Sequence, residues 1–361
     1  MSERVVVAMS GGVDSSVAAA LLHEQGYDVI GITMKLWDAP ETAEGRHKTC
    51  CTLDDVSDAR RVAAQLDIPF FVVNFKSQFA SHVIDYFTES YRQGYTPNPC
   101  VQCNRYLKFT HLRQRAQQLG AQWIATGHYA AVHRGADGRY YLRRGRDAGK
   151  DQSYFLFDLT QEQLRQTLLP LGHYRKDEVR AHAARLRLNV AQKPESQEIC
   201  FIPEGDYRAF LRTRLTPDET LPGPMQTASG QVLGEHQGLP FYTVGQRRGL
   251  GVAAGEPLYV TDVRTEHNTL VVGSRQEAMA ETCTVERLNW MCTPPAQSLS
   301  TTVQIRYRHR PVAAVVEPID ANRARVSFRE PQFAVTPGQA AVFYDGDTVL
   351  GGGWVSRKTL A

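Results

Sequence analysis

A chain of 361 residues, 42% hydrophobic and 22% charged, is too long for one small module and too apolar to be wholly disordered. No apolar run approaches the roughly 18–20 residues that span a bilayer, and Val5–Met9 is too short for a signal-peptide core, so the chain reads as cytoplasmic with no membrane segment. Seven cysteines, an odd number in so long a chain, argue against a secreted disulfide framework. The net charge of +3 hides a segregation: −5 over residues 1–100, +9 over 101–214, −4 over 215–300 and +3 over 301–361. A polyanionic partner at the middle block and the end gives such a pattern, and so does an unevenly solvated surface.

In chain order, Arg4–Met9 reads as a short strand, Ser15–Gln25 as a helix ended by Gly26, and Asp28–Leu36 as a second strand. Asp54 and Asp55 are candidate N-caps for a helix through Leu66, followed by a buried-type strand at Phe70–Phe75. Helices from Gln78 to Arg92 and from Asn104 to Leu119, then a strand at Trp123–Thr126, continue the alternation, and two more helical patterns lie between Leu159 and Leu188. Strands alternating with helices imply a parallel sheet covered on both faces. After about residue 205 the texture changes to short runs punctuated by Gly and Pro: Leu258–Val263, Thr269–Val272, Thr302–Arg306, Ala313–Glu317, Ala324–Phe328 and Ala340–Phe343. These predict small all-β domains, with a break near Gly273–Ala280. The expected architecture is an α/β domain over 1–205, a small central β domain over 206–275, and a C-terminal β-barrel over 276–361.

The sharpest motif is Ser10-Gly11-Gly12-Val13-Asp14-Ser15-Ser16 between a strand and a helix. Adjacent glycines let backbone N–H groups approach a polyanion, and the helix N-terminus adds partial positive charge. Asp14 can hold a Mg²⁺ that neutralises phosphate. No Lys follows the glycines, so this is not the loop of the P-loop nucleotidases; the plain alternative is a serine-capped turn. A second motif, Thr96-Pro97-Asn98-Pro99-Cys100-Val101-Gln102-Cys103-Asn104, presents two cysteines at the start of a helix, where a thiolate is stabilised. The third, Glu195-Ser196-Gln197-Glu198-Ile199-Cys200-Phe201-Ile202, carries one cysteine that alone reads as a small buried hydrophobe. With Cys103 beside a nucleotide site, it becomes a candidate for sulfur chemistry.

SGGxDS at a strand–helix junction resembles the PP-loop of the ATP pyrophosphatases, a parallel-sheet fold of the adenine nucleotide alpha hydrolase type. Together with GITMKLW, TPNPCVQCN, ATGHYA, KDQSYFL, SQEICFI, YTVGQRRGLG, IRYR and TPGQAAVFYDGD, it resembles the tRNA-specific 2-thiouridylase (MnmA) family over essentially the whole chain. The resemblance implies ATP-dependent 2-thiolation of a tRNA wobble uridine, by adenylation of the C2 oxygen and transfer of sulfur from a cysteine persulfide. It implies Cys200 as sulfur carrier and Cys103 as its partner, able to close a disulfide with it. ATP and Mg²⁺ are the implied cofactors. Ala8, Met9, Ser10, Gly11, Gly12, Val13, Asp14, Ser15, Met34 and Gly127 are the implied nucleotide contacts. Asn98, Pro99, Cys100, His128, Lys150, Asp151, Gln152, Arg306, Tyr307 and Gln339 are the implied tRNA contacts. The partners are tRNA, held in part by the C-terminal barrel, and a persulfide-donating sulfur-carrier protein.

One position departs from the family: many members have Asp where this chain has Cys100, so an acid–base role assigned there does not transfer. Either Cys100 is a spare thiol, or Cys100, Cys103 and Cys200 hold a [4Fe-4S] cluster with one open iron. The persulfide route ranks ahead of the cluster. Cys50 and Cys51 read as a structural or solvent-loop pair, and Cys283 and Cys292 as inert. The basic segment Arg139–Arg146 and the cluster Arg306, Arg308, His309 and Arg310 read as solvated faces from charge alone and as tRNA contacts from the resemblance. Rival readings are another PP-loop adenylating enzyme such as an amidating ligase, for which two thiols are superfluous, and a non-catalytic sulfur-carrying tRNA binder.

Overall fold

The computed structural model describes residues 2–37, 52–194, 199–202, 205–252 and 255–357. The Cys50–Cys51 pair and Glu195–Glu198 lie outside the described residues. Two compact units emerge: Met1–Val83, Cys100–Gly205 and Asp347–Val349 form the first, and Ile84–Pro99, Asp206–Gly346 and Leu350–Ala361 the second.

In the first unit, β1 (Arg4–Ala8), β2 (Asp28–Lys35), β3 (Phe70–Asn74), β4 (Trp123–Ala125) and, beyond the hairpin β5 (Ala130–Arg134) and β6 (Tyr140–Arg144), the short β7 (Thr167–Leu168) are the strands. β1, β2, β3, β4 and β7 make a parallel sheet in the order β3-β2-β1-β4-β7. β1 is central, and Val5, Val6 and Val7 are fully buried. α1 (Val13–Glu24) packs its Val17–Leu22 run into that core, which α2 (Leu53–Gln65) joins through Ala59, Val62 and Ala63. The strand order reverses direction between β1 and β4. In parallel α/β sheets, ligands bind outside the carboxyl ends of strands at such a switch point.

Local chemistry corrects several sequence expectations. Thr52, not Asp54 or Asp55, caps α2: its hydroxyl accepts from Asp55 N, and the Asp55 carboxylate accepts from Thr52 N. β3 is an edge strand rather than a buried one, with Phe71 and Val72 exposed, because only β2 pairs with it. The helix expected from Asn104 starts earlier, at Pro99–Gln102, and runs as a π-helix over Cys103–His111 before returning to α-helix at Leu112–Gln118. Cys100, not Cys103, thus occupies the first turn. The basic segment Arg139–Arg146 contains the second strand of the hairpin β5–β6, whose Arg and Tyr residues mask the strand alternation in the sequence.

The second unit contains two β domains. β8 (Gly223–Gln226), β9 (Val232–His236), β10 (Tyr259–Arg264) and β11 (Thr269–Gly273) form a four-stranded sheet in the order β10-β11-β8-β9. β12 (Met279–Trp290), β13 (Leu299–Gln304), β14 (Val312–Pro318), β15 (Arg323–Phe333), β16 (Ala340–Asp345) and β17 (Thr348–Val355) follow. They close into an antiparallel barrel because β12 pairs with both β15 and β17. Val285, Val303, Val316, Val326 and Phe343 fill its interior with Cys283, whose thiol burial pushes up to about 12. Among the described residues, no helix is long and apolar enough to cross a membrane.

Candidate active site

The carboxyl end of β1 delivers the SGGVDSS loop. Met9 is fixed to β2: its N–H donates to Ile32 O (2.9 Å), and its carbonyl accepts from the Thr33 hydroxyl (2.7 Å). Gly11 adopts φ +74°, and a Cβ there would stand 2.1 Å from Asp55 O, so only glycine fits between β1 and α2. Gly12 takes the N-cap place of α1 and makes no side-chain cap bond. The helix donors are therefore not capped by a protein side chain at that position, as an anion seat requires. Ser15 Oγ accepts from Ser10 N (3.1 Å) and lies 3.3 Å from Ser10 Oγ, while Ser16 Oγ donates to Gly12 O (2.9 Å). These bonds set the loop's shape.

Asp14 sits in the first turn of α1, where the helix dipole favours a carboxylate. Lys176 Nζ donates to both its oxygens (2.7 and 2.8 Å), and the Tyr129 hydroxyl donates to Oδ1 (2.7 Å). The Lys176 ammonium also stands 5.8 Å from the Tyr129 ring centroid. Neither Lys176 nor Tyr129 was singled out from sequence. A signal for Lys176 exists: it is the first residue of the helix Lys176–Arg185, where a cation opposes the dipole and needs an outside carboxylate. Behind the loop, Lys193 Nζ bridges Asp55 (2.7 Å) and Asp58 (2.6 Å). Met34 lies buried on β2, opposite Val73 of β3.

The other side of the switch point is Thr126-Gly127-His128 after β4. A Cβ on Gly127 would meet Ser15 N at 2.7 Å and Asp14 C at 2.8 Å, so this glycine lets the two loops touch. His128 is buried. The Lys108 ammonium, a donor only, stands 3.3 Å from its Nε2, which makes Nε2 the acceptor and leaves the proton on Nδ1 to donate to Thr126 Oγ1 (2.6 Å). Burial, with Lys108 alongside, holds the imidazole well below its usual range and therefore neutral. Lys108 also donates to Asn104 Oδ1 (2.8 Å), and Asn104 Nδ2 to Phe155 O (3.1 Å). The chain Thr126–His128–Lys108–Asn104 thus runs from the end of β4 to the residue after Cys103.

Cys100 is exposed, and Cys103 and Cys200 are half-buried. Cys103 opens the π-helical segment, a geometry often found at functional sites. Phe201, next to Cys200, packs edge-on against Phe79 (5.6 Å), and the Lys76–Phe79 segment lies against the Cys103–His111 segment. The Lys76–Phe79 segment thus touches both the neighbour of Cys200 and the segment that Cys103 opens. Among the described residues, no group of three His, Cys, Asp or Glu side chains gathers as a metal site, so Cys100, Cys103 and Cys200 are not assembled as cluster ligands.

Three family profiles match the chain: one described as a tRNA methyl transferase HUP domain over residues 3–204, a tRNA methyl transferase PRC-barrel domain over 208–274, and an aminomethyltransferase beta-barrel domain over 280–355. The tRNA-specific 2-thiouridylase MnmA of Geotalea uraniireducens is 54% identical over 358 residues, covering 98% of this chain and 95% of that protein. The chain belongs to the tRNA-specific 2-thiouridylase family. The relative of the same name from Heliobacterium modesticaldum is 53% identical over 99% of this chain and 94% of its own length.

The remaining residues expected of a 2-thiouridylase fall in three places. Gln339 Nε2 donates to Thr96 O (3.0 Å) and Pro97 O (3.1 Å), and Thr96 N to Pro337 O (2.8 Å), so the TPGQ turn clamps the segment that leads into Asn98 and Pro99. Asp151 accepts from Arg144 Nη1 (2.7 Å), Gly145 N (3.0 Å) and the Ser153 amide and hydroxyl (3.1 and 2.9 Å). Gln152 exchanges bonds with the Tyr129 backbone (2.9 and 3.0 Å), which fixes the residue that holds Asp14, and Lys150 precedes this turn. Arg306 Nη1 donates to Phe333 O (3.1 Å), and Arg308 lies over the Tyr307 ring (5.8 Å). The structure thus ties Gln339 to the Asn98 loop and Gln152 to the nucleotide loop.

Proposed function

We propose that this chain replaces the C2 oxygen of the wobble uridine (U34) of tRNA with sulfur, at the switch point between β1 and β4. One observation carries the reading: in the SGGVDSS loop Gly12 leaves the start of α1 without a side-chain cap and Asp14 is held by Lys176 and Tyr129, in the unit that also carries Cys103 and Cys200. As a member of its family, the chain is an ATP-using PP-loop enzyme of tRNA thiolation, a tRNA-uridine 2-sulfurtransferase.

The loop amides and Ser10 and Ser15 receive the phosphates of ATP, with Ala8, Met9, Val13, Met34 and Gly127 lining the nucleotide. A lone carboxylate beside a phosphate seat suits Mg²⁺, which takes one or two carboxylates and completes its shell with phosphate and water. Asp14 would hold it, and the ion would neutralise pyrophosphate charge. The uridine O2 attacks the α-phosphorus, the bond to pyrophosphate breaks, and pyrophosphate leaves. The terminal sulfur of a Cys200 persulfide, supplied by a sulfur-carrier protein, then attacks C2, and AMP departs with the former carbonyl oxygen. The Cys103 thiolate attacks Cys200 Sγ, the sulfur–sulfur bond breaks, and the thiocarbonyl is released. A Cys103–Cys200 disulfide remains, and an external thiol reduces it.

We assign residues 1–205 to catalysis, 206–275 to a central β domain and 276–361 to a tRNA-binding barrel. Asn98, Pro99, Cys100, His128, Lys150–Gln152, Arg306, Tyr307 and Gln339 are the residues that meet tRNA. The test is incubation with ATP, a persulfide donor and unmodified tRNA, followed by nucleoside mass analysis. A uridine gaining sulfur in the parent, none in Cys103→Ser or Cys200→Ser, and activity within about threefold of parent in Cys100→Ser are expected. A Cys100→Ser protein that folds and binds ATP yet makes no thiouridine would overturn the two-thiol route.

A further inference from the structure

Residues 215–300 carry a net charge of −4, yet the Arg247–Gly249 loop within them lies beside Arg208, one of three arginines just before that block. Arg208 and Arg212 lie one turn apart on the helix Tyr207–Arg212, and Arg214 follows it. The Arg208 guanidinium stands 5.9 Å from both the Tyr207 and Tyr242 ring centroids, Arg212 stands 4.8 Å from Phe241, and Arg214 stands 5.5 Å from Phe210. The loop Arg247–Gly249 joins them: a Cβ on Gly249 would be 3.3 Å from Arg208 Nη1. Arg212, Arg214, Arg247 and Arg248 are exposed.

Among the described residues, none of these five arginines stands in an ion pair. The carboxylates in the neighbourhood are otherwise placed. Asp206 caps the helix through Arg208 N and Ala209 N (3.0 Å each), Glu219 pairs with Arg92, and Glu256, which lines the same loop cavity as Arg247, makes no ion pair with it. Arg208 Nε is buried with no hydrogen-bond partner, so stacking rather than hydrogen bonding at that atom holds the group.

Stacking on a ring uses the face of a guanidinium and leaves its edge donors available. Arginines ordered by rings and unpaired by carboxylates lose little side-chain freedom when they meet phosphate, and their forks match its geometry. We infer that Arg208, Arg212, Arg214, Arg247 and Arg248 form a phosphate-binding face that grips the tRNA backbone, in addition to the residues proposed above to meet tRNA. The inference rests on the tRNA reading given above.

The test compares the parent with the quadruple variant Arg212→Gln/Arg214→Gln/Arg247→Gln/Arg248→Gln, and with the corresponding Arg→Lys quadruple. Binding of unmodified tRNA is titrated over a range of KCl concentrations, with ATP binding and the thermal midpoint as fold controls. At about 0.15 M salt the Gln variant should bind tRNA at least about tenfold more weakly. Its log Kd against log salt should be shallower by about 3, since each lost phosphate contact removes roughly 0.7–0.9 of slope. The Lys variant should keep most of the slope. A Gln variant that binds ATP normally and keeps the parent's tRNA slope overturns the inference. So does a Gln variant that loses ATP binding while the Lys variant, folded, also loses the slope. A parent that binds no tRNA at all would instead sink the function proposal.

Discussion

Two regions of the molecule treat their cations in opposite ways. Around the nucleotide loop the cations are tied to carboxylates: Lys176 to Asp14, Lys193 to Asp55 and Asp58, Arg144 to Asp151. At Tyr207–Arg214 and Arg247–Arg248 the arginines lean on aromatic rings or project into solvent. Paired charges in a half-buried setting fix the geometry of the groups they join. Unpaired, stacked charges remain able to neutralise a polyanion. Density of Lys and Arg along a sequence separates these roles poorly. The Arg139–Arg146 stretch is rich in charge, but Arg144 is paired with Asp151 and Arg146 with Glu178.

Breaking the tie at the loop should have the largest effect. Lys176→Met leaves Asp14 with only the Tyr129 hydroxyl and removes a cation from beside the phosphate seat. AMP and pyrophosphate formation should fall by about 10²–10³-fold, the usual loss for one electrostatic donor at such a centre. Lys176→Arg should recover part of it, and tRNA affinity should stay within about twofold of parent. A Lys176→Met enzyme with parent-like turnover would reduce the pair to a fold contact.

Gly127→Ala attacks the same place without touching charge. The new methyl lies inside contact distance of backbone atoms of Asp14 and Ser15, which cannot swing away as a side chain would. A cost of about 2–3 kcal/mol in stability is expected, with turnover reduced about tenfold or more as α1 shifts. Urea denaturation with ATP-dependent kinetics checks both; an unchanged midpoint would mean that the two loops separate freely.

Lys193→Met sharpens the comparison at one remove from chemistry. Burial disfavours the Lys193 ammonium, but Asp55 and Asp58 outweigh that and raise its pKa. Removing it leaves two half-buried carboxylates side by side, so about 1–2 kcal/mol of stability should go, with a fall of a few degrees in thermal midpoint. Turnover at low temperature should remain within about threefold of parent. A larger loss of turnover than of stability would place Lys193 in the nucleotide site itself.

The alternation of strand and helix made the parallel sheet legible, and the spacing of Ser10, the glycines and Asp14 located its switch-point loop. Lys176 and Tyr129 lie 162 and 115 residues from Asp14; the helix-start position of Lys176 signals an unmet charge, but nothing local says which carboxylate meets it. The π-helix at Cys103–His111 was hidden for a different reason: its apolar spacing passes for an ordinary helix. β12 and β17, the strands that close the barrel, were missed because charged residues interrupt the first and glycines fill the second. Asp55 was recognised as a capping residue but assigned the wrong end of the capping box, since Thr52 and Asp55 satisfy each other.

The smallest effect concerns His128, where burial and the Lys108 ammonium keep a ring neutral inside the tied region. A base whose folded pKa lies below its unfolded value binds fewer protons in the native state. Its contribution to stability is therefore full above the unfolded value near 6.5 and is lost as pH falls below it. Between neutral pH and pH about 5.5 the unfolded chain takes up the proton that the folded ring refuses, so stability falls across this range. His128→Gln keeps an acceptor for Lys108 and a donor for Thr126 but cannot take up a proton, so its stability should fall less steeply over this range. Other buried histidines, such as His236, titrate equally in parent and variant and cancel in the difference. Thermal midpoints of the two proteins measured from pH 8 to 5.5 should converge towards low pH. If the curves stay parallel, the His128 ring is not the neutral member of the Lys108 pair, and the proton assignment on Nδ1 fails with it.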